Sequence, residues 1–174
     1  GLINVITKSV DCLPKVSIDF MASSWGEIQT SLLVKTINNK RIKSFLTFDI
    51  FDYSNPIDNN ADGFTDLSLR KRYTFFNKMN FYSLKNPNNP FKLSLRFMNE
   101  NRWGGQMNWN ESFRGSNQLY GESILTDRVE VGTSYRFPTK ERLTWNSSYS
   151  WHKQKSWYGN NTVSYTHLRA HETV

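Results

Sequence analysis

Alternation between apolar and polar residues over long stretches is the feature that most constrains the fold of this chain. Residues 91–97, for example, read Phe-Lys-Leu-Ser-Leu-Arg-Phe, so every second side chain is apolar. Successive side chains of a strand point to opposite faces, and a period of two therefore predicts strands with one apolar and one polar face. Seven segments follow this pattern and predict an all-β protein: residues 15–22, 28–35, 42–50, 67–81, 91–97, 128–137 and 142–151.

The lengths of the strands and of their connections favour a barrel. The segment 67–81 is far longer than the about 5 to 6 residues that are usual for strands. The short connections are residues 38–40, 85–90 and 138–140, the longer ones are residues 55–64 and 99–123, and residues 24–27 are a short exception. Outer-membrane barrels have short turns at one end and long loops at the other. We therefore expect a partial antiparallel transmembrane β-barrel, an open sheet of about seven strands. A soluble β-sandwich that binds carbohydrate is the alternative.

Composition excludes several classes of protein. No apolar run exceeds three residues, so a transmembrane helix is excluded. The net charge of +7 comes from basic residues that are spread singly apart from the short cluster Arg70, Lys71 and Arg72. No nucleic-acid-binding motif accompanies them, and we expect no nucleic-acid partner. Cys12 is the only cysteine, and outside residues 163–174 His152 is the only histidine. A Ser/His/Asp triad and a histidine-rich metal site therefore lack support, and we do not expect an enzyme.

The end of the sequence departs from the strand pattern. Residues 163–174 (VSYTHLRAHETV) look like the translation of a sequencing adapter and match it throughout. Segments of this kind are excluded from fold reasoning. We therefore expect residues 163–174 to be a non-native tail without strand alternation.

The beginning of the sequence carries a family resemblance. Residues 1–8 (GLINVITK) resemble the G-x-I-N-[IV]-[IV]-T-[KR] segment that closes the plug domain of TonB-dependent outer-membrane receptors. Residues 58–67 (DNNADGFTDL), 101–109 (NRWGGQMNW) and 113–124 (FRGSNQLYGESI) look like receptors of this family from Bacteroidetes. In that family the barrel begins directly after the plug-closing segment, which is also the order of the elements predicted here.

This resemblance implies an architecture and a function. Residues 1–13 would be the C-terminal end of the plug domain and its linker, and residues 14–162 would be the N-terminal part of a barrel in the cell outer membrane. A receptor of this family takes up a scarce nutrient complex, such as a ferric siderophore or cobalamin, in an energy-coupled step without covalent chemistry. Its partners would be outer-membrane lipid, the small nutrient complex and the TonB complex, the last through a region N-terminal to this sequence.

Oxygen-bearing side chains in the first long connection predict a calcium site. Asp58, Asn60, Asp62 and Asp66 occupy positions 1, 3, 5 and 9 of a calcium-type loop, with glycine at position 6. The twelfth position is leucine rather than glutamate, which excludes a standard EF-hand. The alternative is a turn rich in Asn, Asp and Gly, because these side chains cap their own backbone.

The second long connection carries aromatic and cationic side chains that suit an anionic or aromatic ligand. We expect ligand binding by Arg102, Trp103, Trp109, Arg114 and Tyr120. The alternative is that the loop packs internally, with a tryptophan as its anchor. Basic residues on the polar faces of the strands would line the lumen, where they contact the plug, the permeant or water: Arg70, Arg72, Lys92, Arg96, Arg128 and Arg136.

Overall fold

One antiparallel sheet dominates the structure, a computed structural model that describes residues 9–84, 86–140 and 143–173, without the side chains of residues 172 and 173. Its eight strands lie side by side in chain order. The strands are β1 (Val16–Ala22), β2 (Glu27–Asn38), β3 (Ile42–Tyr53), β4 (Leu69–Phe81), β5 (Phe91–Gly105), β6 (Gly121–Arg136), β7 (Thr144–Tyr158) and β8 (Asn161–Thr173). Two 3-10 turns, Val10–Cys12 and Glu111–Phe113, are also present. No helix in this part of the chain has the length and apolar content needed to cross a membrane.

The register of the strands separates apolar from polar side chains. Residues that pair directly across an antiparallel sheet share a face. One row of register partners from β1 to β8 is entirely apolar and defines the apolar face: Ile18, Leu32, Phe48, Phe75, Phe97, Val129, Trp151 and Leu168. An adjacent row is polar except for one methionine and defines the polar face: Asp19, Ser31, Asp49, Thr74, Met98, Arg128, His152 and His167. The predicted period of two thus yields a sheet with two chemically distinct sides.

Apart from the loop end, where Arg114 contacts Asn101 and Ser123, the apolar face is not covered by other parts of the described chain. Ile18 and Phe20 of β1 are 69% and 68% exposed, and Phe97 in the middle of β5 is still 44% exposed. All eight strands belong to one sheet, and residues 9–84, 86–140 and 143–173 contain no second sheet that packs against it. The two-layer sandwich considered as an alternative is therefore not the architecture of these residues.

The apolar face changes character along the strands. From the end with the shorter turns to the middle of the sheet its side chains are almost all apolar, and aromatic rings concentrate at that end. The ring of Phe91 lies 6.2 Å from that of Phe81 and 6.3 Å from that of Trp145. Towards the end with the long loops the same face becomes polar, with Asp52, Lys71, Asn99, Asn101, Asp127, Lys153 and Lys155. The apolar face is therefore a band of limited height.

Three polar side chains interrupt this band where β2 has a bulge. The register shifts between Lys35 and Ile37, and Thr36 is the extra residue. Thr36 Oγ1 donates to Ser44 Oγ at 3.0 Å, and Asn77 Nδ2 donates to the same Oγ at 3.2 Å and to the carbonyl of Phe45 at 2.9 Å. Ser44 and Asn77 are both buried. Each of the three side chains thus has a hydrogen-bond partner within the group.

Two predictions about the strands were wrong. The second long connection covers residues 106–120 rather than 99–123, because β5 continues to Gly105 and β6 begins at Gly121. In these extensions both faces are largely polar, so the sequence period disappears while backbone pairing continues. There are eight strands rather than about seven, because β8 includes residues 163–173, for which no strand was expected. Its pairing with β7 uses backbone groups, which an open sheet edge offers to any extended segment.

The segment that precedes β1 lies against the polar face, at the end with the shorter turns. Val10 is fully buried, and its 3-10 turn contacts β3. Asp11 Oδ1 lies 2.5 Å from Nζ of Lys43, which shares the polar face with Phe45. The linker therefore approaches the sheet from its polar side. The predicted plug segment, residues 1–8, lies outside the described residues.

The Asp11–Lys43 ion pair predicts an acid-sensitive linker. The hydrogen bond from Lys43 is the main cause that lowers the pKa of Asp11 below its ordinary value. A lowered pKa means that the pair stabilises docking fully above about pH 4 and that this contribution is lost as the pH falls through the lowered pKa. A fluorophore on Cys12, which is exposed, should lose anisotropy over that range. In Lys43→Gln the anisotropy should already be low at neutral pH; a constant signal down to pH 2 in the unchanged chain contradicts the prediction.

Candidate functional site

The two long loops, residues 54–68 and 106–120, are joined to each other at one end of the sheet. Both follow odd-numbered strands of an up-and-down sheet, which places them at the same end. An isolated bridge links Phe64 to Gln106. Backbone hydrogen bonds run from Met107 N–H to the Gly63 carbonyl at 2.9 Å and from Thr65 N–H to the Gly105 carbonyl at 2.8 Å. The loops therefore form one connected structure above the strands.

A cleft of about 210 Å³ lies between this structure and the sheet. It is lined by three of the five predicted ligand-binding residues, Arg102, Trp103 and Tyr120, and by Glu122 of β6. Tyr120 Oη donates to Glu122 Oε1 at 3.0 Å, and this hydrogen bond raises the pKa of Tyr120. Arg102 and Trp103 lie on β5 rather than in the loop where they were expected. The cleft thus combines a cation, a carboxylate, a phenol and aromatic surface.

Arg114, the fourth predicted ligand residue, instead holds the second loop to the sheet. Its Nε donates to Ser123 Oγ at 2.9 Å, and its Nη2 donates to Asn101 Oδ1 at 2.7 Å. Its Nη1 donates a third hydrogen bond to Glu111 Oε2 at 3.2 Å, and the guanidinium carbon lies 5.3 Å from the ring centre of Trp157. Because Ser123 is fully buried, Arg114 also satisfies a hydroxyl that water does not reach.

Trp109, the fifth predicted residue, is the buried anchor of the same loop. A Cβ atom placed on Gly121 would lie 2.5 Å from its indole ring, so the ring packs directly on the backbone at the start of β6. Trp109 also lines a smaller cavity of about 110 Å³ together with Trp103 and Leu69. Trp109 and Arg114 therefore follow the alternative of internal packing, Arg102 and Tyr120 face the cleft, and Trp103 lines both cavities.

The calcium-type loop satisfies its own polar groups. The Asp58 carboxylate accepts from Asp62 N–H at 3.2 Å and from Gly63 N–H at 2.9 Å, and Asp62 Oδ1 accepts from Phe64 N–H at 2.8 Å. Asn60 Nδ2 donates to Asp62 Oδ2 at 2.9 Å.

Asp66, the last of the four predicted calcium ligands, closes the same loop. It accepts the backbone and side-chain N–H groups of Asn59 at 2.9 and 3.0 Å. Across the residues that the structure describes, no three His, Cys, Asp or Glu side chains are grouped so that they could hold a metal ion. The bonds are those of a self-capping turn, and calcium binding stays a prediction.

Ion pairs involve four of the six basic residues predicted to line the lumen. All six lie on the polar face, and four of them surround two glutamates, Glu100 and Glu130. Glu130 Oε1 lies 2.6 Å from Nη2 of Arg128, and Glu130 Oε2 lies 3.4 Å from Nη1 of Arg96. On β5, Glu100 Oε2 lies 3.9 Å from Nη1 of Arg70 and 3.8 Å from Nη1 of Arg72, both on β4. Arg128 and Glu130 share a face through the period of β6 itself. The contacts of Arg96 with Glu130 and of the two β4 arginines with Glu100 cross between strands and depend on register.

Comparison with known proteins gives no match to a family model, to a curated protein or to a solved structure. The function is therefore inferred from the two faces of the sheet and from the cleft between its long loops.

Proposed function

We propose that this chain is part of the wall of a TonB-dependent outer-membrane receptor that takes up a scarce nutrient complex. The observation that carries the proposal is the apolar face, which runs across β1 to β7 opposite a charged face and which no second sheet of the described residues covers. β8 is left out because residues 163–174 look like a non-native tail. In water, exposure of such a surface is unfavourable, and a contiguous apolar patch of this extent indicates a partner. A lipid bilayer is the partner that accepts an entire sheet face.

The height of the apolar band supports a bilayer as that partner. The apolar-face residues of β4 run from Tyr73 to Phe81, which corresponds to about 27 Å along the strand at about 3.4 Å per residue. A tilt of about 35–45° reduces this to roughly 20 Å, close to the apolar band of about 25 Å in outer-membrane barrels. The aromatic rings of Phe81, Phe91 and Trp145 would then lie at the membrane–water interface.

The two ends of the sheet fit the two sides of an outer membrane. Short connections at one end correspond to periplasmic turns, and the joined long loops at the other end correspond to extracellular loops. The cleft lined by Arg102 and Tyr120 would then open to the exterior, where the nutrient complex arrives. The linker around Asp11 would enter from the periplasmic end on the lumen side, where the plug domain would lie.

Spin labels on neighbouring residues of β5 test this proposal. The full chain carrying Cys12→Ser and either Phe97→Cys or Met98→Cys is reconstituted into lipid vesicles and labelled with a nitroxide. We expect oxygen, which concentrates in lipid, to relax the label at 97, and a water-soluble nickel complex to relax the label at 98. The two positions differ by one residue and face opposite sides, so each serves as the control for the other. Equal accessibility at both positions would contradict a membrane-embedded sheet.

A further inference from the structure

We propose that Arg70, Arg72 and Arg102 form an oxyanion site on the polar face, and that the ligand of this receptor is therefore an anion with carboxylate or phosphate groups. The inference rests on the proposed function, because it places this site inside the mouth of the barrel. Arginine forks match the paired oxygens of carboxylates and phosphates, and three of them on adjacent strands would hold a multivalent anion.

The register places like charges directly opposite each other. Arg70 of β4 pairs with Arg102 of β5, and Arg72 pairs with Glu100. Side chains of directly opposed residues begin about 4.5–5.5 Å apart, and like charges in such positions destabilise a sheet. A bound anion between Arg70 and Arg102 would remove this repulsion. The unfavourable pair is thus a place where the protein gains from binding an anion.

Glu100 is the one carboxylate within 4 Å of these arginines among the described residues, and Asp66 and Glu122 also line the cleft that Arg102 enters. Both Arg70 Nη1 and Arg72 Nη1 approach the same atom, Glu100 Oε2, at 3.9 and 3.8 Å. These separations are too long for hydrogen bonds, so the guanidinium donors are not used by the carboxylate. Arg102 has no ion-pair partner within residues 9–84, 86–140 and 143–173. Within the described residues, none of the three guanidinium groups therefore has a carboxylate within hydrogen-bond distance.

A buried aromatic ring supports the two arginines of β4. The guanidinium carbons of Arg70 and Arg72 lie 4.7 and 5.6 Å from the ring centre of Phe51, which is only 8% exposed. Stacking on a fixed ring orients the guanidinium planes before a ligand binds and reduces the entropy that binding costs. Arg102 extends the site into the cleft that Tyr120 also lines, so an anion can enter from the loop end.

The second arginine group on the same face provides an internal control. Arg128 and Arg96 contact different oxygens of Glu130, at 2.6 and 3.4 Å, both within hydrogen-bond range. Their donors are engaged with a protein carboxylate, and they are further from the cleft. Loss of one of these arginines changes the net charge of the face by the same amount as loss of Arg102. The two groups therefore separate a specific site from general electrostatic attraction.

Titration calorimetry with citrate and with pyrophosphate tests the site on the full chain reconstituted in detergent micelles. We expect binding of at least one probe that weakens as salt is raised, because the arginines are partly exposed. Arg102→Gln and Arg72→Gln should each lower the affinity at least tenfold, whereas Arg128→Gln should change it less than twofold. Preference for citrate assigns a carboxylate ligand, and preference for pyrophosphate assigns a phosphate ligand.

Two results would overturn the inference. One is equal loss of affinity in Arg128→Gln and Arg102→Gln, both with unchanged far-UV circular dichroism, which would mean non-specific attraction. The other is that neither citrate nor pyrophosphate binds, although oxygen relaxes the spin label at 97 and the nickel complex relaxes the label at 98. The membrane proposal would then stand without the anion site. Equal accessibility of those two labels would instead overturn the receptor proposal and this inference together.

Discussion

Replacement of Leu32 by arginine should lower the free energy of unfolding of the membrane-embedded chain by about 2–4 kcal/mol. Leu32 lies on the apolar face of β2, where its register partners are Ile18 and Phe48. In a bilayer this position contacts hydrocarbon, and a guanidinium there must either give up its hydration or pull water and headgroups inward. Urea unfolding from lipid vesicles, followed by tryptophan fluorescence, measures the change.

The adjacent residue is a matched control for that substitution. Leu33 is the same amino acid on the same strand, but it faces the polar side, where its register partners are Ser17 and Thr47. In the proposed barrel, Leu33→Arg should cost less than about 1 kcal/mol, because positions that face the lumen tolerate polar and charged side chains. Similar losses for the two variants would show that hydrocarbon does not contact the apolar face.

Gly105→Ala should release the second long loop from the sheet. Gly105 has a φ of +147°, and a Cβ atom there would lie 2.5 Å from the Cα of Gly121 and 2.6 Å from the Tyr120 carbonyl. The strained backbone would cost about 1–3 kcal/mol, and the overlap with a backbone that cannot rotate away would add a similar amount. Limited proteolysis should then cut within residues 106–120 many times faster than in the unchanged chain.

Gly63→Ala separates backbone strain from overlap. Gly63 also has a positive φ, +84°, yet a Cβ atom there has no neighbour within 4 Å. Its replacement should cost only about 1–2 kcal/mol, the ordinary penalty of a left-handed residue. Cleavage of residues 106–120 should therefore stay slow in this variant. Equal cleavage rates in the two alanine variants would mean that the contact between Gly105 and Gly121 does not hold the loop.

The centres of the strands could be predicted from the sequence, and their ends could not. Residues 91–97 alternate because one face of β5 is apolar and the other polar. Beyond Phe97 the strand continues through Asn99 and Asn101, where both faces are largely polar. Backbone pairing and side-chain hydrogen bonds, such as that from Asn99 Nδ2 to Asp127 Oδ1, maintain it there, and neither has an apolar period in the sequence. β8 is the extreme case, since its described side chains are all exposed and its pairing follows from the free edge of β7.

The cleft could be predicted only in part, for a related reason. Aromatic and cationic residues close together in sequence indicated Arg102, Trp103 and Tyr120, all of which line it. The same signal also selected Arg114, whose donors are used by Ser123 and Asn101, because composition does not distinguish a binding arginine from a structural one. The contribution of other strands, such as Phe51 beneath the arginines, depends on register and has no signal in a single segment.

The polar trio of Thr36, Ser44 and Asn77 has a consequence for assembly. If β4 slid along β3 by two residues, so that Asn77 came opposite Phe48, every side chain would keep its face, and lipid contact alone would not distinguish the two alignments. In the proposed membrane setting, however, this shift would separate the Asn77 amide from its acceptors, Ser44 Oγ and the Phe45 carbonyl, and leave it in hydrocarbon. The cost would be several kcal/mol. These few polar atoms would thus fix the register of β3 and β4, because burial of apolar side chains alone does not distinguish the two registers.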